Sequence, residues 1–326
     1  MSAKNRELTF GQAIVEAMRD EMRKDPRIFF MGEDISVGAI LQSRPLFEEF
    51  GPERVRDTPI SEAGFIGSGV GAAITGMKPV VELMCNDFFG VAMDQIYNQA
   101  GKLRYMLGGS ITIPFVLRTS YGAPGSAAAH HSQSLYAIFA HVPGLKVVIP
   151  STPYDAKGLL TTALRESDPV VFFEHVKLYE RRGPVPEEPY TIPFGKADIK
   201  RSGSDVTVVA TGLMVHKSLS VAEKLKDDVD VEIVDPRTIV PLDSTSIINS
   251  VKKTNKLVVV DEGYKRCGFA AEVSAVVAEE AMDLLDAPIV RVATPNVPIP
   301  FSPFLESQLI PTEESIAKAI TKVMSQ

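Results

Sequence analysis

The sequence predicts an α/β protein of two domains, each built on a mostly parallel sheet covered by helices. Three observations predict it. Short runs rich in Val, Ile and Phe alternate with helical stretches along the chain. The runs are apolar almost throughout, as expected of strands covered on both faces. A segment with three prolines and four charges, Arg181-Arg182-Gly183-Pro184-Val185-Pro186-Glu187-Glu188-Pro189, then breaks the alternation before it restarts.

In the first half, strands are expected at 27–31, 80–84, 112–118, 146–149 and 170–174, and helices at 11–23, 62–74, 89–107, 135–140 and 154–165. The proline-rich segment reads as an exposed, stiff linker. Beyond it, strands are expected at 206–210, 231–234, 257–261 and 289–293, with helices at 214–225, 245–254 and 270–285. The domains read as 1–183 and 205–326, the second being the smaller, with a linker over 184–204.

At 326 residues the chain can bury roughly three quarters of its unfolded surface. A hydrophobic content of 45% with 23% charged residues fits a soluble globular protein, and a net charge of -7 argues against nucleic acid as the main partner. No apolar run reaches the ~18 residues of a membrane span. Met1-Ser2-Ala3-Lys4-Asn5-Arg6-Glu7 has no apolar stretch behind its charges, so no signal peptide is expected and the cytoplasm is the expected compartment. Cys85 and Cys267 are too few for a disulfide framework and suggest no metal site.

In open α/β sheets ligands bind beyond the carboxyl ends of the strands. Those ends lead into Gly32-Glu33-Asp34, Cys85-Asn86-Asp87-Phe88-Phe89 and a long loop containing His130 and His131. Asp57-Thr58-Pro59-Ile60-Ser61-Glu62 runs into Ala63-Gly64-Phe65-Ile66-Gly67-Ser68-Gly69-Val70-Gly71. A carboxyl at the mouth of such a segment can hold or share a proton near neutrality if it is buried. Equally, Ser61 can be a plain N-cap with Glu62 in the first turn. Gly67 and Gly71 are expected to form one stripe for close packing. A histidine in a small-residue loop can reach a ligand and titrates near working pH, or it simply faces solvent. No Gly-x-Gly-x-x-Gly follows a strand with an acid twenty residues on, and no phosphate loop or Gly-x-Ser-x-Gly elbow is present.

Met31-Gly32-Glu33-Asp34, Asp57 to Glu62, Glu82-Leu83-Met84 with Asp87-Phe88, and Asp94-Gln95-Ile96 form an ordered set of motifs. His131-Ser132-Gln133, Pro143-Gly144-Leu145-Lys146-Val147-Val148, Pro153-Tyr154-Asp155-Ala156-Lys157-Gly158-Leu159-Leu160, Asp235-Pro236-Arg237-Thr238 and Val259-Val260-Asp261-Glu262 continue it. On these the chain resembles, from end to end, the beta subunit of the thiamine-diphosphate-dependent first component of 2-oxoacid dehydrogenase complexes. Asn98 to Met106 and Tyr190 to Gly195 look most like acetoin dehydrogenase.

The resemblance implies a pyrimidine-binding domain followed by a transketolase C-terminal-type domain. It implies that Glu62 bonds the cofactor's pyrimidine ring and acts in proton transfer, and that Phe88 packs on that ring. Glu33 and Leu83 complete the cofactor-binding residues, and His131 assists acyl transfer to lipoamide. His130 stands where the family has glutamine. Potassium is implied at main-chain oxygens near Ala163 and Asp168. The chain lacks the family's Gly-Asp-Gly segment with its later asparagine. Magnesium and the diphosphate are therefore expected on an alpha subunit, in an α2β2 heterotetramer, and the second domain is expected to dock on a lipoyl-bearing acyltransferase core. The expected substrate is acetoin or a 2-oxoacid such as pyruvate. The alternatives are a branched-chain 2-oxoacid dehydrogenase beta subunit, the C-terminal subunit of a split transketolase, and a noncatalytic scaffold subunit. After Ser61 a split transketolase has Glu-Gln-Asn, where this chain has Glu62-Ala63-Gly64.

Overall fold

The computed structural model describes residues 6–38 and 43–326; the leader reading on residues 1–5 lies outside them. The chain forms two compact units. The first comprises Met1–Tyr121 and Ile138–Phe194, and the second comprises Gly122–Ala137 and Gly195–Gln326. The second unit thus takes a segment from inside the expected first domain, and it begins within the expected linker.

The first unit contains β1 (Glu7–Thr9), β2 (Ile28–Gly32), β3 (Val55–Asp57), β4 (Lys78–Cys85), β5 (Val116–Tyr121), β6 (Lys146–Val148), β7 (Val170–His175) and β8 (Arg182–Pro184). Within it the main sheet runs β6-β7-β5-β4-β2-β3, parallel throughout. Every residue of β2, β5 and β7 is buried, the polar ones such as Arg118 and Glu174 included, as expected of strands covered on both faces. Strand β5 starts four residues later than expected because Pro114 has no N–H for the ladder. The sheet is covered by helices that include Phe10–Lys24, closed by a capping box of Thr9 and Gln12, and Pro153–Arg165, capped by Thr152.

The expected long helix over 89–107 is broken into a 3-10 stretch Asn86–Ala92, a wide turn Gln95–Ala100 and a short helix Gly101–Met106. Gly144 has φ 99, and a Cβ there would lie 1.8 Å from the Gly101 carbonyl oxygen, so position 144 must stay bare for the backbone to pass the start of helix Gly101–Met106.

Most of the expected linker segment is exposed, as predicted, but it is anchored in two places. Arg182–Pro184 pairs antiparallel with β1, and Val185 is buried. Prolines lack N–H donors but keep carbonyls. The Pro186 carbonyl accepts from Arg6 Nη2 at 3.0 Å and from the buried Lys157 Nζ at 2.8 Å.

The second unit contains β9 (Asp198–Arg201), β10 (Val206–Ala210), β11 (Val231–Asp235), β12 (Thr238–Val240), β13 (Leu257–Tyr264) and β14 (Val290–Thr294). Its sheet runs β14-β13-β10-β11-β9, parallel except for the edge strand β9. Met214, Val215, Val221 and Ala222 from helix Leu213–Lys224, and Ile316, Ile320 and Val323 from helix Glu313–Met324, pack on the apolar strands. No helix among the described residues is long and apolar enough to cross a membrane.

Candidate active site

Strands β2, β3 and β4 are parallel neighbours whose carboxyl ends lie side by side. Gly32 stands opposite Asp57 on β3 and Glu82 on β4. Glu33 and Leu83 lie one residue beyond that rung. Glu62 opens the helix Glu62–Ile74 that follows β3, and Phe88 lies in the turn that follows β4. Four residues scattered over fifty-odd positions of sequence thus gather at one edge of one sheet.

Glu62 is 8% exposed, Leu83 is fully buried, and Glu33 and Phe88 are half-buried. The Glu33 Oε1 is buried with no hydrogen-bond partner among the described residues. Burial, followed by the charges of Glu62 and Asp34, raises the Glu33 carboxyl above its ordinary range. Glu33 and Glu62 therefore sense each other at an edge where one acid oxygen lacks a donor.

Ser61 does take the N-cap position, but its hydroxyl makes no capping bond. A Cβ at Gly64 would stand 2.9 Å from Ser61 Oγ. The Gly67–Gly71 stripe is corrected: a Cβ at Gly71 would meet nothing within 4 Å, while one at Gly69 would lie 2.7 Å from Val81 Cγ2. Gly69 is the residue that lets the Glu62 helix sit directly on the sheet. Asp87 is engaged locally, accepting from Asn86 Nδ2 at 2.8 Å and Cys85 Sγ at 2.9 Å. Burial and then Asp87 push the Cys85 thiol up to about 12, so it is no nucleophile at neutral pH.

Just inside this edge lies an ionic cluster that motif reading missed. Arg118 on β5 is 1% exposed and grips Glu174 on β7 through Nε at 2.6 Å and Nη2 at 2.7 Å. Its Nη1 reaches Glu82 on β4 at 3.3 Å, and Tyr179 Oη donates to Glu174 at 3.0 Å. One cation faces two carboxylates, and the fork belongs to Glu174. Burial pushes Glu82 up to about 7, with Arg118 opposing and Glu174 reinforcing the rise. The sequence signal was one charge in each of three otherwise apolar strands.

In the second unit, His130 and His131 are exposed on the loop Gly122–Ala137. The Gly122 N–H donates to the Gln133 carbonyl at 3.1 Å and closes the loop's neck. Ala123 N–H donates to Glu262 at 3.0 Å, Ser126 N–H to Glu306 at 3.0 Å, and Tyr264 Oη to Gln133 Oε1 at 3.1 Å. Tyr136 Oη donates to the buried Asp261, which also accepts the N–H groups of Gly263 at 2.8 Å and Ala270 at 3.0 Å.

Ala163 lies in the last turn of helix Pro153–Arg165, where its carbonyl accepts from Glu166 N–H at 3.2 Å. The Asp168 carboxylate pairs with Arg104 and, at 3.8 Å, with Lys146. No group of three or more His, Cys, Asp or Glu side chains suited to a metal ion occurs among the described residues.

Residues 6–182 match the family model described as transketolase, pyrimidine binding domain, and residues 195–316 match transketolase, C-terminal domain. The pair defines a transketolase-type enzyme architecture. The chain is 47% identical to the beta subunit of acetoin:2,6-dichlorophenolindophenol oxidoreductase of Bacillus subtilis (strain 168), over 98% of each chain. It is 46% identical to the pyruvate dehydrogenase E1 component subunit beta of Rickettsia felis, over 97% of this chain and 98% of that one. The chain belongs to the family of acetoin and 2-oxoacid dehydrogenase beta subunits, a thiamine-diphosphate-dependent oxidoreductase family. A solved split-gene transketolase, described as an inactive beta4 tetramer, shares the fold with TM-score 0.77 at 21% identity, covering 98% of both chains.

Proposed function

We propose that the chain is the beta subunit of a cytoplasmic, thiamine-diphosphate-dependent acetoin dehydrogenase, active with an alpha subunit in an α2β2 assembly. It cleaves acetoin to acetaldehyde and an acetyl unit, which passes to lipoamide on an acyltransferase core. The observation that carries the reading is the edge where Glu33, Glu62, Leu83 and Phe88 meet, with one acid oxygen lacking a donor among the described residues.

That edge fits the pyrimidine of the cofactor. An aminopyrimidine offers N–H donors to carboxylates and a flat face to Leu83 and Phe88. When bound, thiamine diphosphate supplies a carbon nucleophile that takes up a carbonyl carbon and stores the electrons of the broken bond. Glu62 holds the proton that balances the charge on the pyrimidine ring. Glu33, half-buried and shifted upward, accepts an N–H or holds a proton of its own. His131 gives a proton to the lipoyl sulfur released during acyl transfer. Magnesium and the diphosphate are assigned to the alpha subunit, because the sequence has no Gly-Asp-Gly segment. Potassium is assigned to main-chain oxygens near Ala163 and Asp168, at the C-terminal end of helix Pro153–Arg165, where the resemblance implies it.

Identity supports acetoin by a narrow margin, 47% against 46% for the pyruvate enzyme. Acetoin and pyruvate deliver the same two-carbon unit, and small apolar differences discriminate by only ~1–3 kcal/mol. The test is kcat/KM for acetoin, pyruvate and 3-methyl-2-oxobutanoate on the chain reconstituted with its alpha subunit. Acetoin should lead by at least tenfold. A lead by either oxoacid overturns the substrate and leaves the cofactor site standing.

A further inference from the structure

The loop that carries the histidines is under strain and is held in place. Gly125 has φ 113, which costs glycine little, but Ser126 at φ 56 and Ala128 at φ 62 also take the left-handed region. L-residues avoid that region, and such conformations persist only where the surroundings fix them. Two carboxylates flank the bend. Glu262 Oε1 accepts the N–H of Ala123, and Glu306 Oε2 accepts the N–H of Ser126, the first strained residue. Glu306 comes from helix Pro303–Leu309, and it is 6% exposed while its neighbours Phe304 and Leu305 are 72% and 52% exposed. A seven-residue helix that turns its acid inward and its apolar side chains outward is not packing by hydrophobicity. The inward acid meets one backbone N–H, five residues before His131.

We propose that Glu306 is a positioning residue: its bond to Ser126 N–H sets the left-handed bend that fixes the path of the chain to His130 and His131 for acyl transfer. The proposal rests on the role of His131 given above.

Hydrogen exchange followed by mass spectrometry on the full-length chain reads the positioning itself. Glu306→Ala should speed exchange in peptides covering 122–137 by tenfold or more and leave the strands of the second unit unchanged. Glu306→Gln keeps an acceptor oxygen and should stay within threefold of the parent. Adding Ser126→Gly, which takes φ near +56 without strain, should recover part of the protection lost in Glu306→Ala. Unchanged exchange in 122–137, or faster exchange across the whole unit, overturns the proposal. In the assembled enzyme, Glu306→Ala should slow acetyl transfer to the lipoyl domain at least tenfold and reaction with an artificial electron acceptor less than threefold. His131→Ala is run beside it. If His131→Ala slows transfer and a loosened loop does not, the positioning role is wrong; if His131→Ala leaves transfer unchanged, the reading of the histidine is wrong, and exchange still decides what Glu306 holds.

Discussion

Two groups of buried acids lie within one residue of each other on the same sheet, and their surroundings differ. Glu82 and Glu174 share the guanidinium of Arg118, with Tyr179 adding a donor. Glu33, one step beyond the rung that holds Glu82, keeps a buried oxygen with no donor among the described residues. Burial lifts the carboxyl of both Glu33 and Glu82. In the first group the protein supplies its own counter-charge, so the acids hold strands together. In the second, Glu33 Oε1 has no such partner among the described residues, which leaves it open to a donor from a bound group, as proposed above. The presence of a built partner, rather than the direction of the shift, is what distinguishes Glu82 from Glu33 here.

Breaking each side should give different losses. Glu62→Gln in the assembled enzyme should cut turnover by ~10²–10⁴, the usual cost of a lost acid–base group, and leave the fold intact. Proton exchange at the thiazolium carbon, followed by NMR, checks it directly; an unchanged rate removes Glu62 from the chemistry. Arg118→Leu should do the reverse. It strands two buried carboxylates and should cost about 3–5 kcal/mol in urea unfolding, and a loss under 1 kcal/mol would show that the cluster is not the clasp described.

Glu82 sharpens the comparison through pH. Its carboxyl is raised to about 7 from an ordinary 4.5, so the folded chain binds this proton more tightly than the unfolded chain. The stability this contributes is complete below about pH 4.5 and fades as pH climbs to about 7, by roughly 3 kcal/mol. Glu82→Gln should lack this component, so the stability of parent minus variant should fall across that window. A flat difference would mean that Arg118 keeps Glu82 ionised throughout. The smallest effects concern the helix that carries Glu62. Gly69→Ala should cost ~1–3 kcal/mol through overpacking against Val81, whereas Gly71→Ala should stabilise by ~0.5–1 kcal/mol because its Cβ meets nothing within 4 Å. Equal midpoints for the two would argue that the helix shifts freely on the sheet.

Much of the frame was legible. The apolar runs at 206–210 and 170–174 fell within a residue of β10 and β7, and the 62–74 helix was read to its ends. Short pieces were not legible: β3 has three residues with only Val55 buried, so no period can form. Helix Glu313–Met324, absent from the sequence expectations, does carry a signal, with Ile316, Ala319, Ile320 and Val323 at helical spacing behind a Thr312 cap. At the site, motifs marked Glu33, Glu62, Leu83 and Phe88 but not why they meet. The meeting depends on strand order, which places β2 between β3 and β4. Arg118 and Glu306 escaped for a related reason, since each finds its partners far away in sequence, 56 residues to Glu174 and 180 to Ser126.

The excursion of Gly122–Ala137 into the second unit has a consequence for modularity. A gene cut near residue 195 looks like a cut between two domains, yet the fragment downstream would lack sixteen residues of its own body. Asp261 would keep its backbone donors but lose the Tyr136 hydroxyl, and Glu306 would lose the Ser126 N–H. A fragment starting near residue 195 would therefore keep the strands of the second unit but leave Asp261 and Glu306 without these two donors. A graft of the second unit that preserves these bonds must carry the Gly122–Ala137 loop together with the distant residues that hold it.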